Sequence, residues 1–401
     1  MKIAFVHFSD LFFPSGTAVM YRRIFKELSN EHEIVHLVGF RRNGRSAEQL
    51  DRAYRTEINT VRPVCLKLNP IMRTGYRLRR TAVGNHSLLI PGVFLRAQIN
   101  RIFEQEKPDV IWWSSDYLPE SFSTLYALRD QLPKGSHLHI GILDPPELFA
   151  GKGAVALRKT MALHQTCLQL AHSFSCIGKN LQTRIQAETG KPVFVINDFV
   201  SASPISKRQS RRDGGTIRAG ISGRIYNLEE LRVFVTALGQ AFPQSEVLWY
   251  GNYGQEKICR QIAVPANVRV LGLAPVAREQ IAQVLAESCD LAYLSMPENS
   301  PEFARYSVPT KLVTYVEAGL PVAYHAPIDS EIHVLNLEHG FGCNLTTALN
   351  PNECIRDLVK NQSRHLAGLT SLTASRYSKN LVLNTMRQIL ARNGSAPIQS
   401  A

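Results

Sequence analysis

Buried-strand patterns alternate with helical ones along this chain, and the alternation starts again after one polar interruption. KIAFVHF (2–8), EIVHLV (33–38), DVIWW (109–113), LHIGIL (138–143) and FVIN (194–197) read as strands, with helical patterns near 17–29 and 119–131. After SASPISKRQSRRDGGT (201–216) the pattern resumes with IRAGIS, the helix of LEELRVFVTALGQAF, then EVLWYG, VRVLG, DLAYLS and PVAYH. Strand followed by helix, repeated, predicts a parallel sheet covered on both faces. The expected fold class is therefore α/β, with two Rossmann-like, doubly wound parallel-sheet domains facing a central cleft. The expected boundaries are 1–200, a Ser/Arg/Gly linker at 201–215, 216–374, and a segment 375–401 whose helix crosses back to the first domain. Sheets of this kind bind ligands beyond the carboxyl ends of their strands, where loops meet helix N-termini.

The bulk numbers agree with this reading. A chain of 401 residues, 44% apolar and 20% charged, is too long for one core and too apolar for disorder. Seven scattered cysteines show neither a CxxC nor metal-ligand spacing and read as thiols kept in a reducing compartment. MKIAFVHF meets Asp10 too soon for a signal peptide and reads as a core strand. The best apolar stretch, SLLIPGVFL at 87–95, falls short of the roughly 20 residues a membrane span needs. A cytoplasmic protein is expected.

Net charge is +13, and residues 41–107 concentrate it, with fourteen Lys or Arg against five Asp or Glu. Such a block suits phospholipid headgroups, a diphosphate-bearing lipid or nucleic acid, or is simply a solvated basic face. Within it, 71–102 interleaves arginines with Leu, Ile, Val and Phe, the pattern of an element lying on an anionic membrane or packed on its own domain. No nucleic-acid module or stacking pattern accompanies the charge, so nucleic acid is not expected as a partner.

The segment PTKLVTYVEAGLPVA (309–323) places Lys311 in the first turn of a short helix, followed by Thr314, Tyr315 and Ala318 at helical spacing. Free amides, the positive dipole end and an ammonium group make an anion site; the alternative is a surface lysine. Arg224 after Gly223 offers a guanidinium fork for phosphate oxygens, or a surface ion pair. Gly16, between the first strand and first helix, lets backbone amides approach a ligand, or serves only a tight turn. In HLHIGILDPPELF (137–149) a strand ends at Asp144, whose carboxylate can act as a base or cap the turn that follows; Glu147 is the reserve candidate. Asp10, Asp116 and His325 also fall at strand ends and read as structural.

Taken together these segments resemble the two-domain GT-B glycosyltransferases. Pro309, Lys311, Tyr315, Gly319, Pro321 and Val322 are similar to the donor-site helix of glycosyltransferase family 4. SGRI (222–225) resembles the turn that contacts the donor diphosphate, and 267–295 the segment that holds the base. FFPSGTAVMYRRIFKELS (12–29) is similar to the glycine loop and first helix, and VINDF (195–199) to the end of the first domain. Where family 4 carries a glutamate pair, this chain has Tyr306 and Thr314, with Glu317 one turn on, and Glu229 stands near the place of the usual lysine. In lacking the second glutamate but keeping the lysine, the chain resembles the inverting glucuronosyltransferases of family 70. The resemblance implies a nucleotide-sugar donor, UDP-linked, held by Gly223, Arg224, Thr310, Lys311, Thr314, Tyr315, Glu317 and Gly16. It also implies Asp144 as base toward an acceptor hydroxyl on a glycan or polyprenyl-diphosphate-linked glycan. No Asp-x-Asp triplet occurs, and the resembled fold works without metal or cofactor. The expected setting is cell-surface polysaccharide synthesis, with 41–107 touching the inner face of an anionic membrane.

Overall fold

A computed structural model describes residues 1–9, 11–12, 16–41, 46–58, 60–66, 90–115, 119–145, 154–200, 216–223, 225, 227–251, 262, 264–274, 276–296 and 301–391. The linker 201–215, residues 71–89 of the basic segment, Arg224, Glu147, Asp10 and Asp116 lie outside the described residues. The chain divides into two compact units: Met1–Asp198 together with the stretch from Leu383 onward, and Phe199–Val382.

Unit 1 is built on a sheet of β1 (Lys2–Ser9), β2 (Glu33–Arg41), β3 (Val61–Cys65), β4 (Val110–Ser115), β5 (His137–Ile142), β6 (Ser173–Cys176) and β7 (Val193–Val195). Their order is β3-β2-β1-β4-β5-β6-β7, every pairing parallel. Strand order reverses between β1 and β4. The central strands are buried on both faces, which is why VIWW reads as an unbroken apolar run and Trp112 and Trp113 are fully enclosed. Helix Gly16–Leu28 packs Ala18, Tyr21, Ile24, Phe25 and Leu28 inward at helical spacing. Helix Ala47–Glu57 starts on a reciprocal cap, with Gln49 N donating to Ser46 Oγ (3.1 Å) and Ser46 N to Gln49 Oε1 (2.8 Å).

At the other end of helix Ala154–Leu170, three carbonyls receive the ammonium of Lys191: Leu168 O (3.2 Å), Gln169 O (2.7 Å) and Ala171 O (2.7 Å). Terminal helix carbonyls have no intrahelical donors, so this one side chain satisfies a set that would otherwise need water. Lys191→Met is expected to lower the stability of unit 1 by roughly 1–2 kcal/mol in denaturant unfolding, because charge-assisted bonds are lost and two partly buried acceptors, Leu168 O and Ala171 O, stay behind. An unchanged midpoint would show that water replaces the ammonium at no cost.

Unit 2 repeats the plan with β8 (Ile217–Ser222), β9 (Ser245–Tyr250), β10 (Val268–Leu273), β11 (Leu291–Ser295), β12 (Val322–His325) and β13 (Gly342–Asn344). The order β10-β9-β8-β11-β12-β13 is again parallel and reverses between β8 and β11. Helix Leu228–Ala241 is capped by Asn227, whose Oδ1 accepts from Glu229 N (2.9 Å) and Glu230 N (3.3 Å). The last helix, Lys379–Ala391, follows a single wide turn at Thr373–Tyr377. Arg387 fixes its far part within unit 1 by donating from Nε to Glu31 Oε2 at 3.0 Å.

The two-domain parallel architecture is as the sequence pattern predicts. Three strands escape that pattern: β3, β6 and β13.

Candidate functional site

In unit 2 the reversal of strand order leaves a gap beyond the carboxyl ends of β8 and β11, and Gly223 and Lys311 meet at the end of β8. β8 ends at Ser222 and turns at Gly223, whose φ of +70° lies in the left-handed region that favours glycine. Both peptide groups of Gly223 are committed: its N–H donates to Tyr250 O (2.6 Å), and its carbonyl accepts from Trp249 Nε1 (2.7 Å). A Cβ placed on Gly223 would stand 3.3 Å from Lys311 Cε, so the lysine stem runs directly over the glycine turn. Any side chain at 223 would be strained and would press on Lys311.

Helix Thr310–Glu317 delivers that lysine from its first turn. Pro309 stands at the N-cap in an extended conformation and no side chain caps the helix start. Tyr315 sets the position of the helix. Its buried hydroxyl accepts from Ser222 N (3.0 Å) and donates to Tyr293 O (3.0 Å), tying one helix to the end of β8 and the middle of β11, the strands that flank the gap. Burial pushes the Tyr315 phenol up to about 12, so it remains a donor at neutral pH. Tyr293 stacks on Phe234 with centroids 4.1 Å apart, and its own hydroxyl lies 2.9 Å from His325 Nδ1. Thr314 is buried beside Tyr315, whereas Thr310, Lys311 and Glu317 are partly exposed. An ammonium, a helix N-terminus and a glycine turn thus converge, an arrangement able to hold an anion.

In unit 1, Gly16 opens helix Gly16–Leu28 after β1, one of the two strands at that sheet's reversal. The approach to it is pinned by Leu11 N, which donates to Tyr54 Oη (3.2 Å) while that hydroxyl bonds His36 Nδ1. Asp144 lies two residues past β5, one strand further along, and is 4% exposed. The predicted residues therefore form two groups: Gly223, Thr310, Lys311, Thr314, Tyr315 and Glu317 in unit 2, and Gly16 and Asp144 in unit 1.

Sequence reasoning overlooked Trp249 and Tyr293, which it counted only as strand residues of EVLWYG and DLAYLS. The available signal was chemical: an indole or phenol enclosed in a core needs a hydrogen-bond partner, and Trp249 sits one residue from the end of β9, beside β8, while Tyr293 is the middle residue of β11.

No family model and no curated protein matches the sequence. Solved structures match over nearly the whole chain. Sucrose-phosphate synthase from Thermosynechococcus elongatus is 10% identical, with 98% of each chain covered and a TM-score of 0.69. HepE of Anabaena, in complex with UDP-glucose, is 16% identical, covering 98% of this chain and 100% of its own at a TM-score of 0.64. UDP-GlcNAc 2-epimerase from Neisseria meningitidis, bound to UDP-GlcNAc, is 13% identical, covering 98% and 100% at a TM-score of 0.60. The chain has the GT-B fold. Since the same fold carries both a synthase and an epimerase among these structures, the reaction has to be argued from the site.

Proposed function

We propose that the protein is a glycosyltransferase that moves a sugar from a nucleotide-diphosphate sugar, UDP-linked, to a hydroxyl of a glycan or lipid-linked glycan. The observation that carries this is the placement of the Lys311 stem over Gly223 at the strand reversal of unit 2. The UDP-glucose and UDP-GlcNAc complexes among the structural neighbours support the donor class. In this reading Lys311, Arg224 and the amides of helix Thr310–Glu317 hold the diphosphate and carry the charge that develops as the anomeric C–O bond breaks, with no metal or cofactor. Thr310, Thr314, Tyr315, Glu317 and Gly16 complete the donor site, Tyr315 through the hydroxyl that fixes the helix. Asp144, two residues past the end of β5, takes the proton of the attacking hydroxyl. Residues 41–107 supply contact with an anionic membrane carrying a polyprenyl-diphosphate-linked acceptor. Among the described residues no helix is long and apolar enough to cross a membrane.

The test is ligand-induced stabilisation with UDP-, GDP- and dTDP-sugars, comparing wild type with Lys311→Ala. One nucleotide class is expected to raise the melting temperature of the wild type, and Lys311→Ala to weaken that binding at least tenfold, roughly the 1.4 kcal/mol or more of one charge-assisted contact. Acceptor-dependent release of the nucleotide, abolished by Asp144→Asn, then identifies a transferase. Conversion of the sugar without an acceptor would place the protein with the epimerases. No stabilisation by any of these donors at millimolar concentration would sink the enzyme reading in favour of a degenerate partner subunit.

A further inference from the structure

We propose that a cleft at the amino ends of β4 and β5 in unit 1 is a second ligand site, for a small hydroxylated phosphate monoester such as a sugar phosphate. The cleft has a volume of about 690 Å³, within the roughly 300–1,000 Å³ usual for small-molecule sites. Three segments line it: the last turns of helix Ile90–Glu106, residues 107–109 leading into β4, and residues 131–136 leading into β5. Phe103, 1% exposed, and the buried Pro108 supply its apolar part. The backbone marks the place. Lys107, whose N–H closes the helix on Phe103 O (2.8 Å), has a φ of +47° and is the one non-glycine residue in the left-handed region among the described residues. Helices ordinarily end there on glycine, because a Cβ is strained in that conformation. Keeping lysine at this position puts an ammonium on the cleft wall. A cation also answers the dipole at a helix C-terminus. That reason does not extend to Lys134, which reaches the same cleft from a turn closed by Ser136 N donating to Pro133 O (3.2 Å). Neither ammonium makes an ion pair or hydrogen bond among the described residues.

The rest of the polar lining suits hydroxyls. Asn100 Nδ2 donates to Glu104 Oε1 (2.8 Å) and Lys2 N to Asp109 Oδ2 (2.7 Å), so each carboxylate is fixed by one oxygen and keeps the other to accept. Gln131 Oε1 accepts from Arg96 Nε (2.9 Å), which leaves its amide nitrogen to donate. Two ammonium groups answer a phosphate as point charges, while the fixed carboxylates and the amide answer the hydroxyls beside it. A bare anion or an uncharged sugar meets only half of this lining. Gly16 and Asp144 follow the carboxyl ends of β1 and β5, whereas the cleft lies at the amino ends of the same parallel sheet. A ligand there leaves the proposed acceptor end of unit 1 free and acts as an effector.

The experiment measures binding of glucose 6-phosphate, glycerol 3-phosphate, glucose and inorganic phosphate to the full-length protein by equilibrium dialysis, in wild type, Lys107→Gly, Lys134→Gln and Lys311→Ala. At least one of the two phosphate esters is expected to bind at least tenfold more tightly than glucose or inorganic phosphate. Lys107→Gly and Lys134→Gln should each weaken it at least tenfold, and Lys311→Ala should leave it unchanged. Lys107→Gly relieves the left-handed backbone, so its melting temperature should equal or exceed that of the wild type, and its loss of binding is not a loss of fold. Binding that survives both lysine substitutions at 107 and 134, or that disappears in Lys311→Ala, would overturn the proposal. So would inorganic phosphate binding as tightly as the esters, or neither ester binding at millimolar concentration. Neither Lys107→Gly nor Lys134→Gln should alter stabilisation by a nucleotide sugar, so this site and the transferase reading stand or fall separately.

Discussion

Gly141→Ala is expected to destabilise unit 1 by roughly 2–3 kcal/mol, against the ordinary gain from removing a glycine inside a strand. A Cβ at 141 would stand 2.5 Å from Tyr21 Oη and 3.4 Å from both Ser175 Oγ and Trp112 Nε1. Tyr21 is 1% exposed and has no room to swing away. Its ring lies 4.8 Å from Phe5, 5.6 Å from His7, 5.7 Å from Phe25 and 6.4 Å from Trp112, centroid to centroid. Nor can the strand retreat, because β5 is held between β4 and β6 and Ser115 Oγ donates to Gly141 O at 2.8 Å. Removing the obstructing hydroxyl should restore much of the loss. In a double-mutant cycle, Tyr21→Phe with Gly141→Ala is expected to be more stable than the sum of the singles by at least about 1 kcal/mol. A Gly141→Ala protein that melts at or above the wild type would refute the close approach.

The second large effect is with pH. His36 and His139 are fully enclosed in unit 1, and His325 is enclosed in unit 2. Burial holds the first two well below the ordinary imidazole range, with His7 and His137 respectively adding repulsion, and brings His325 down to about 4. Their bonding fits neutral rings. His36 Nδ1 is engaged by Tyr54 Oη while Nε2 is buried without a partner, and His139 meets Ser173 Oγ (2.8 Å) and Ser175 Oγ (2.9 Å). A group with a depressed folded value binds protons more readily when unfolded. The stability it confers is complete above about pH 6.5 and is lost as pH falls toward the folded value. For His325 the window runs from about 6.5 to about 4 and is worth on the order of 3 kcal/mol. Both units should therefore melt progressively lower between pH 7 and 5, before most carboxylates titrate. His325→Gln, which keeps an acceptor for Tyr293, should flatten the slope of unit 2. A melting temperature constant from pH 7.5 to 5 would contradict this.

The sequence revealed those parts of the fold that rest on continuous apolar runs, such as VIWW and LAYLS, because central parallel strands are buried on both faces. It concealed strands that obey other rules. β3 contains Pro63, which demotes a strand on sight, yet β3 is the sheet edge, where a missing N–H is tolerated. β6, Ser-Phe-Ser-Cys, buries two hydroxyls that become acceptable only because His137 and His139 face them from β5. β13 is three residues long. In the site, the helix register that puts Lys311 in the first turn and Tyr315 one turn later could be read from spacing alone. The hydrogen bonds from Tyr315 to β8 and β11, and from Trp249 to Gly223, could not, since they join residues tens of positions apart.

The committed peptide groups of Gly223 have a kinetic meaning. A loop that must be ordered by its ligand taxes each encounter, whereas this turn is already fixed by Tyr250 and Trp249 before any ligand arrives. Under the proposed donor reading, capture needs little rearrangement of the backbone at Gly223, so differences in residence time among nucleotide sugars are expected to report how well each diphosphate fits, rather than how far this turn must bend to meet it.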